Sequence, residues 1–248
     1  MKVSFSGKEL LRATIWLGLF LGLLSCSNSD KEFKPLRISK DSNSSSKSVV
    51  KLPELEEESF DTLLQQYESK DRMFWQKPEL VIAMLGDLSD KTVADIGAGS
   101  GFFARRLVHK ARKVIAIEID PRFIAFMDSI KRVELPMELQ NRFETRLAEP
   151  QNSHLKPGEA DIVLLVNTYI YIQDKEAYLR HLLDVLPKGG RLVIVDFKKK
   201  RLPMKNPPQA WRMPLYQLEQ QLEEAGFTLL VSDDTSLDYQ YIVIAQKP

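Results

Sequence analysis

The chain has 248 residues, of which 44% are hydrophobic and 28% charged, and its formal net charge is +1. These values are typical of one globular domain with additions. A charge this close to zero gives no electrostatic reason to expect a nucleic-acid partner.

The N-terminus has the pattern of an export signal. A positive region, with Lys2, Lys8 and Arg12, precedes an apolar run over residues 13–24. That run has signal-peptide length and is too short to span a bilayer comfortably. The run ends in Leu-Leu-Ser-Cys at Cys26, the only cysteine in the chain.

This ending resembles the lipobox of bacterial lipoproteins. The resemblance implies a signal peptide over residues 1–25, cleavage before Cys26, and lipidation of that cysteine. The protein would then lie in the bacterial cell envelope, anchored to a membrane on its periplasmic or outer-membrane face. An uncleaved anchor and a free thiol are the alternatives. Residues 27–56 are polar, rich in Ser, Lys and Asp, and without apolar periodicity, which indicates a flexible linker over 26–56.

Residues 57–248 alternate between strand and helix patterns, which predicts an α/β fold with a doubly wound, mostly parallel sheet. The last two strands are joined by a short turn and predict an antiparallel hairpin. We predict strands over 92–96, 113–119, 142–147, 161–167, 191–197, 227–232 and 239–245. We predict helices over 58–69, 78–85, 102–111, 121–131, 174–186 and 214–225.

The first strand runs into the most informative motif, a Gly-x-Gly-x-Gly turn over residues 97–101 with Asp95 two residues before it. Glycine lets the backbone bend sharply and approach a ligand with no side chain in the way. We also expect free backbone N–H groups where the strand passes into the next helix. A small nucleotide-like ligand is therefore predicted at this turn.

Two kinds of ligand compete for this site. The dinucleotide fingerprint is Gly-x-Gly-x-x-Gly, but Phe102 stands where that pattern has its third glycine. The Asp95 carboxylate would repel a pyrophosphate and suits an amine-bearing or cationic ligand. Glu118, which ends the second strand, can accept hydrogen bonds from ribose hydroxyls in either class. An NAD-dependent oxidoreductase remains the less favoured alternative.

The motif resembles the first motif of class I S-adenosylmethionine-dependent methyltransferases. The resemblance implies a Rossmann-like seven-stranded sheet of order 3-2-1-4-5-7-6, with S-adenosyl-L-methionine as cofactor. It implies that the loop wraps the methionine part of the cofactor and that Asp95 lies close to its amino group. The cofactor-binding residues so implied are Asp95, Gly97, Ala98, Gly99, Gly101 and Glu118.

Residues 71–78, 160–169 and 186–197 resemble segments of a narrower, methyltransferase type 11-like group that is often exported. This chain departs from the family after the third strand, where Leu147 occupies the place of an acid that meets adenine. The Ala148 N–H is expected to pair with a ring nitrogen there, and Glu149 to replace the acid. The fourth strand ends in Asn167, a further cofactor-binding candidate.

No side chain is expected to act as an essential base. The weak candidates facing the transferred methyl group are Asn167, Tyr169 and Tyr171, with Asp196 a weaker option, because the histidines usual after Tyr169 are missing. Candidates to cap the acceptor side are Phe74, Trp75, Trp211 and Met213. No metal is expected, because His109, His154 and His181 lack metal-site spacing.

The predicted function is methyl transfer to an unidentified small-molecule or cell-envelope acceptor. A catalytically degenerate module that binds S-adenosylmethionine is the main alternative.

Overall fold

The computed structural model describes residues 59–248. Seven strands form one sheet of order β3-β2-β1-β4-β5-β7-β6. The first five strands pair in parallel, and β7 lies antiparallel between β5 and β6. The predicted fold class, strand order and C-terminal hairpin are therefore confirmed.

The strands are short and their bounds follow the apolar runs. They are β1 Thr92–Ile96, β2 Lys113–Glu118, β3 Phe143–Leu147, β4 Ile162–Val166, β5 Arg191–Phe197, β6 Thr228–Asp233 and β7 Gln240–Gln246. Every residue of β1 and β4 is buried, as both faces of the sheet are covered.

The helices are α1 Phe60–Tyr67, α2 Arg72–Trp75, α3 Pro78–Met84, α4 Ala104–Leu107, α5 Pro121–Glu134, α6 Met137–Gln140, α7 Lys175–Val185 and α8 Leu215–Glu224, with a 3₁₀ turn over Tyr169–Tyr171. The helix predicted over 102–111 is wrong in extent, since only α4 is helical and turns flank it. The prediction did not include α2, α6 or the 3₁₀ turn, which are too short to show periodicity.

Two apolar layers cover the two faces of the sheet. Alternate residues of β1 divide between them, with Ala94 and Ile96 in one layer and Val93 in the other. Helices α7 and α8 pack in the first layer, while α3, α4 and α5 contribute to the second. The parallel strands consequently end together at one edge, where a doubly wound sheet binds its ligand.

The predicted signal peptide, Cys26 and linker lie outside the described residues. Within residues 59–248, no helix has both the length and the apolar character needed to cross a membrane.

Candidate active site

A cavity of about 580 Å³ opens at the carboxyl ends of the parallel strands. The structure brings seven of the predicted site residues to its wall: Gly97, Ala98, Gly99, Glu118, Ala148, Asn167 and Tyr171. It does not bring Asp95, Gly101 or Tyr169 there. The sequence therefore located the cavity, and the structure separates the residues that line it from those that support it.

The glycine loop leaves no room for side chains at two positions. Gly97 and Gly99 have φ angles of +74° and +55°, in the left-handed region that favours glycine. A Cβ atom on Gly97 would collide with the side chain of Thr168, and one on Gly99 would lie 2.7 Å from Cδ2 of Tyr67. The loop is thus closely covered by two side chains that the sequence did not single out.

The N–H groups of the loop are bound within the protein. Gly97 and Ala98 both donate to the carbonyl oxygen of Ile117, at 2.9 and 3.0 Å. Gly99 donates to Oε2 of Glu118 at 2.8 Å. The expectation of free N–H groups is wrong for these three positions, because β2 lies close enough to accept them.

Asp95 lies behind the loop and is 2% exposed. Its carboxylate accepts a hydrogen bond from the N–H of Ala104, the first residue of α4. Burial raises the pKa of Asp95 to about 7; the Glu118 carboxylate adds to this rise, while the Ala104 N–H and the charge of Arg72 oppose it. Its Oδ2 has no hydrogen-bond partner within residues 59–248.

This arrangement disfavours a diphosphate ligand. A dinucleotide site offers free N–H groups at a helix N-terminus to its pyrophosphate. Here the Ala104 N–H at the start of α4 donates to a carboxylate of the protein itself, and the N–H groups of Gly97 to Gly99 face β2. The N–H groups of Gly97, Ala98 and Gly99 are therefore not available to an anionic ligand.

Glu118 occupies the end of β2 and is 8% exposed. Its carboxylate accepts N–H hydrogen bonds from Gly99, Ile119 and Asp120, at 2.8 to 3.2 Å. Burial raises the pKa of Glu118 above its ordinary value, although these three donors oppose the rise. Oε1 accepts two of these donors and Oε2 one, so Oε2 keeps a lone pair that can accept a ligand hydroxyl.

The expected adenine contact from Ala148 is not available as predicted. Its N–H donates to the carbonyl oxygen of Glu118 at 2.9 Å, because the ladder between β2 and β3 continues one residue further. The N–H of Glu149 is also engaged, with Asn152 at 3.1 Å. Ala148 and the exposed side chain of Glu149 still line the cavity.

Asn167 and Tyr171 line the cavity beyond the glycine loop. Asn167 has a φ of +59°, which asparagine tolerates better than most residues. Its Oδ1 accepts a hydrogen bond from Nε2 of Gln240, so the Asn167 amide keeps its own NH₂ group as a donor. Desolvation raises the pKa of Tyr171 to about 12, so its phenol stays protonated at neutral pH.

Tyr169 is fully buried, and its hydroxyl pairs with Oε1 of Gln221 at 2.8 Å. This places Tyr169 in the apolar layer with α7 and α8 and away from the cavity. The structure therefore gives Tyr169 a packing position.

Asp196 is also fully buried and does not line the cavity. Its carboxylate accepts the N–H groups of Phe197 and Ile170, at 2.8 and 3.4 Å. Burial raises its pKa to about 7, and the nearby charge of Lys175 opposes the rise. Because Ile170 belongs to the 3₁₀ turn, Asp196 ties that turn, and with it Tyr171, to the end of β5.

The four candidates for the acceptor side, three aromatic residues and one Met, take different positions in the structure. Trp75 lines the cavity and packs on Phe197, with ring centroids 5.6 Å apart. Trp211 meets the edge of Tyr171 at 6.3 Å. Phe74 is 78% exposed, and Met213 is buried in the core, so neither lines the cavity.

The sequence reading missed Tyr67, Arg72 and Thr168. Tyr67 stacks on Phe123 with centroids 5.0 Å apart, which holds its ring against Gly99. Arg72 lies over the ring of Phe102 at 4.1 Å. Residues 71–78 had pointed to this region only through the resemblance, because nothing in the local pattern places α2 beside the loop. Within residues 59–248, no group of His, Cys, Asp or Glu side chains has the arrangement of a metal site.

Comparison with known proteins agrees with this geometry. A family model described as "Methyltransferase domain" matches residues 67–232, more than half of the chain. The chain belongs to this family of methyltransferase domains. The family uses S-adenosylmethionine, so the prediction of that cofactor is confirmed.

Individual relatives are distant. Phosphoethanolamine N-methyltransferase 1 of Arabidopsis thaliana is 24% identical over 61% of this chain and 31% of its own length. Demethylmenaquinone methyltransferase of Tropheryma whipplei is 26% identical over 64% of this chain and 60% of its own length. The chain thus spans less than two thirds of either relative. A SAM-dependent methyltransferase of Aquifex aeolicus has a similar fold, with a TM-score of 0.69 and 21% identity over 77% of this chain and all of that one.

Replacing Gly97 by alanine tests whether the close packing of the glycine loop is needed for cofactor binding. Gly97→Ala should weaken S-adenosylhomocysteine binding at least about tenfold, equivalent to about 1.4 kcal/mol, because its Cβ collides with Thr168. Gly86→Ala is the matched control: its φ of +76° is similar, but nothing lies within 4 Å of the added Cβ. Titration calorimetry should show unchanged binding in the control. An equal loss of S-adenosylhomocysteine affinity in both variants would contradict this account, because it would assign the effect to backbone strain and not to the contact with Thr168.

The buried Asp196 predicts a pH dependence of stability. Its pKa rises on folding to about 7, so the native state holds more protons than the unfolded state above the ordinary carboxyl pKa. The free energy of unfolding should therefore fall as pH rises through about 4 to 7. Urea denaturation at several pH values should show a flatter profile for Asp196→Asn. An unchanged or steeper slope would contradict the assignment.

Proposed function

We propose that this chain transfers a methyl group from S-adenosylmethionine to a small-molecule or cell-envelope acceptor. We further propose that it does so as a lipoprotein anchored to a membrane through Cys26. The observation that carries the methyl-transfer proposal is the glycine loop on the cavity wall. Three of its N–H groups are bound to β2, one of them to the Glu118 carboxylate, and side chains lie against Gly97 and Gly99.

The residues on the cavity wall fit this cofactor. The Glu118 carboxylate would accept a hydrogen bond from a ribose hydroxyl, and the exposed Glu149 side chain would accept one from the adenine amino group. The backbone of the glycine loop would contact the methionine part. It would do so beside the side chains of Thr168 and Tyr67, which already lie against Gly97 and Gly99.

The catalytic demands on the chain are small. When bound, the cofactor supplies an electrophilic methyl group on a positively charged sulfur. The protein needs to orient the acceptor in line with that group and to exclude water. A base is required only where the acceptor atom carries a tightly held proton. No Lys, His or Cys side chain of residues 59–248 lines the cavity.

The second candidate function is a module that binds the cofactor without turning it over. It is supported by the lack of a Lys, His or Cys side chain from residues 59–248 on the cavity wall. Location adds to this alternative, because an exported enzyme needs S-adenosylmethionine outside the cytoplasm. Phosphoethanolamine and demethylmenaquinone, the acceptors named for the two relatives, are chemically unlike each other. They therefore indicate no single acceptor for this chain.

Turnover separates the two candidates. The purified full chain, incubated with methyl-labelled cofactor and a cell-envelope extract, should transfer label to an acceptor. Glu118→Gln should raise the KM for the cofactor about tenfold or more, since a charged hydrogen-bond acceptor is lost. Glu176→Gln, at an exposed site on α7, should behave as the unchanged chain. Cofactor binding without label transfer in any fraction would favour the binding module.

The anchoring proposal has its own test. Mass spectrometry of the purified protein should show an N-terminus at Cys26 carrying acyl chains. Cys26→Ser should remove them and move the protein out of the membrane fraction. An intact residue 1, or an unmodified thiol at Cys26, would contradict lipidation.

A further inference from the structure

The cavity changes character along its length. Near the glycine loop its wall combines backbone and the Glu118 carboxylate with small and aliphatic side chains. Its other end is lined by large apolar and aromatic side chains, among them Trp75, Tyr171, Phe197, Met204 and Pro207. Such walls favour an apolar ligand, with a few polar groups to orient it.

A buried arginine fixes one wall of this apolar end. Arg212 is 2% exposed, and its guanidinium donates to the carbonyl oxygens of Pro207, Lys200 and Met204, at 2.9, 3.0 and 3.1 Å. These bonds tie the segment after β5 into one shape and hold Met204 and Pro207 against the cavity. Arg212 is thus a positioning residue whose donors are used within the protein.

The five side chains that define the apolar end carry no charge; the charged residues of the cavity wall are Asp71, Arg72, Glu118 and Glu149. Arg72 is the one basic side chain from residues 59–248 on the cavity wall. Its guanidinium is committed to Oε1 of Gln76, to the carbonyl oxygen of Tyr67, and to the face of Phe102. A phosphate group packed among the five apolar side chains would lose its hydration, and those side chains provide no charge to pair with it.

Neutral polar groups lie where the two ends meet. The Asn167 amide keeps its NH₂ group as a donor, because its oxygen is taken by Gln240. The Tyr171 hydroxyl remains protonated at neutral pH. Both suit a hydroxyl or carbonyl oxygen carried on a ring.

We propose that one end of the cavity is an acceptor subsite for a planar, uncharged aromatic molecule that carries a hydroxyl or carbonyl oxygen on its ring. This end is lined by Trp75, Tyr171, Phe197, Met204 and Pro207. The ring packs between aromatic and Met side chains. Its oxygen meets Asn167 at the boundary with the cofactor end. This assignment rests on the proposed function for its role as acceptor site, but the subsite binds the ring with or without cofactor.

Titration calorimetry on the full chain tests the subsite, with 2-naphthol and phosphoethanolamine as probes. Each is titrated with and without S-adenosylhomocysteine. We expect 2-naphthol to bind at least tenfold more tightly than phosphoethanolamine. Met204→Lys should weaken 2-naphthol binding at least fivefold, because it brings a charge into the apolar wall. It should leave S-adenosylhomocysteine binding unchanged.

Leu230→Lys is the control, since Leu230 is 49% exposed on β6 and does not line the cavity. It should change neither affinity. Preference for phosphoethanolamine, equal binding of both probes, or no effect of Met204→Lys would overturn the subsite. Failure to bind S-adenosylhomocysteine while 2-naphthol binds would instead overturn the proposed function alone.

Discussion

The attachment of the glycine loop to β2 is the constraint on which the site depends. Two loop N–H groups share the Ile117 carbonyl oxygen, and a third binds the Glu118 carboxylate. The same carboxylate accepts two N–H groups from the turn after β2. One side chain therefore fixes both the loop and the start of α5, and still faces the cavity. A loop bound this way keeps the N–H groups of Gly97, Ala98 and Gly99 from an anionic ligand.

The buried carboxylates show how the fold supports this loop. Asp95 lies behind the loop, and its carboxylate accepts the N–H of Ala104 in α4. Asp196 performs a similar task at β5, where it accepts the N–H of Ile170 in the 3₁₀ turn. Burial raises the pKa of both groups to about 7. Each carboxyl group accepts hydrogen bonds from nearby backbone N–H groups, and neither lies on the cavity wall.

Much of the fold was predictable because most of its strands are apolar runs bounded by turns; β3 and β6, near the edges of the sheet, are the exceptions. The bounds of β1 and β5 agree with the prediction to the residue. Strand order came from the family resemblance, since periodicity carries no information about neighbours in a sheet. The length of α4 was overpredicted, because the apolar pattern over 102–111 continues through the turns on either side of the helix.

The site was predictable only in part. The glycine spacing located the cavity, and the acid at the end of β2 located Glu118. Hydrogen bonding between distant segments decided the rest: the Ala148 N–H is taken by the Glu118 carbonyl, and the Tyr169 hydroxyl by Gln221. Tyr67 reaches Gly99 from a helix before the first strand. Such contacts depend on tertiary structure, so no local pattern could indicate them.

The central claim is that this loop accepts the nucleoside amino acid shared by S-adenosylmethionine and S-adenosylhomocysteine, and rejects a dinucleotide. Competitive titration of the full chain with S-adenosylhomocysteine and NAD⁺ tests it most directly. We predict saturable binding of S-adenosylhomocysteine that NAD⁺ does not displace at equal concentration. Displacement by NAD⁺, or binding of NAD⁺ alone, would contradict the account.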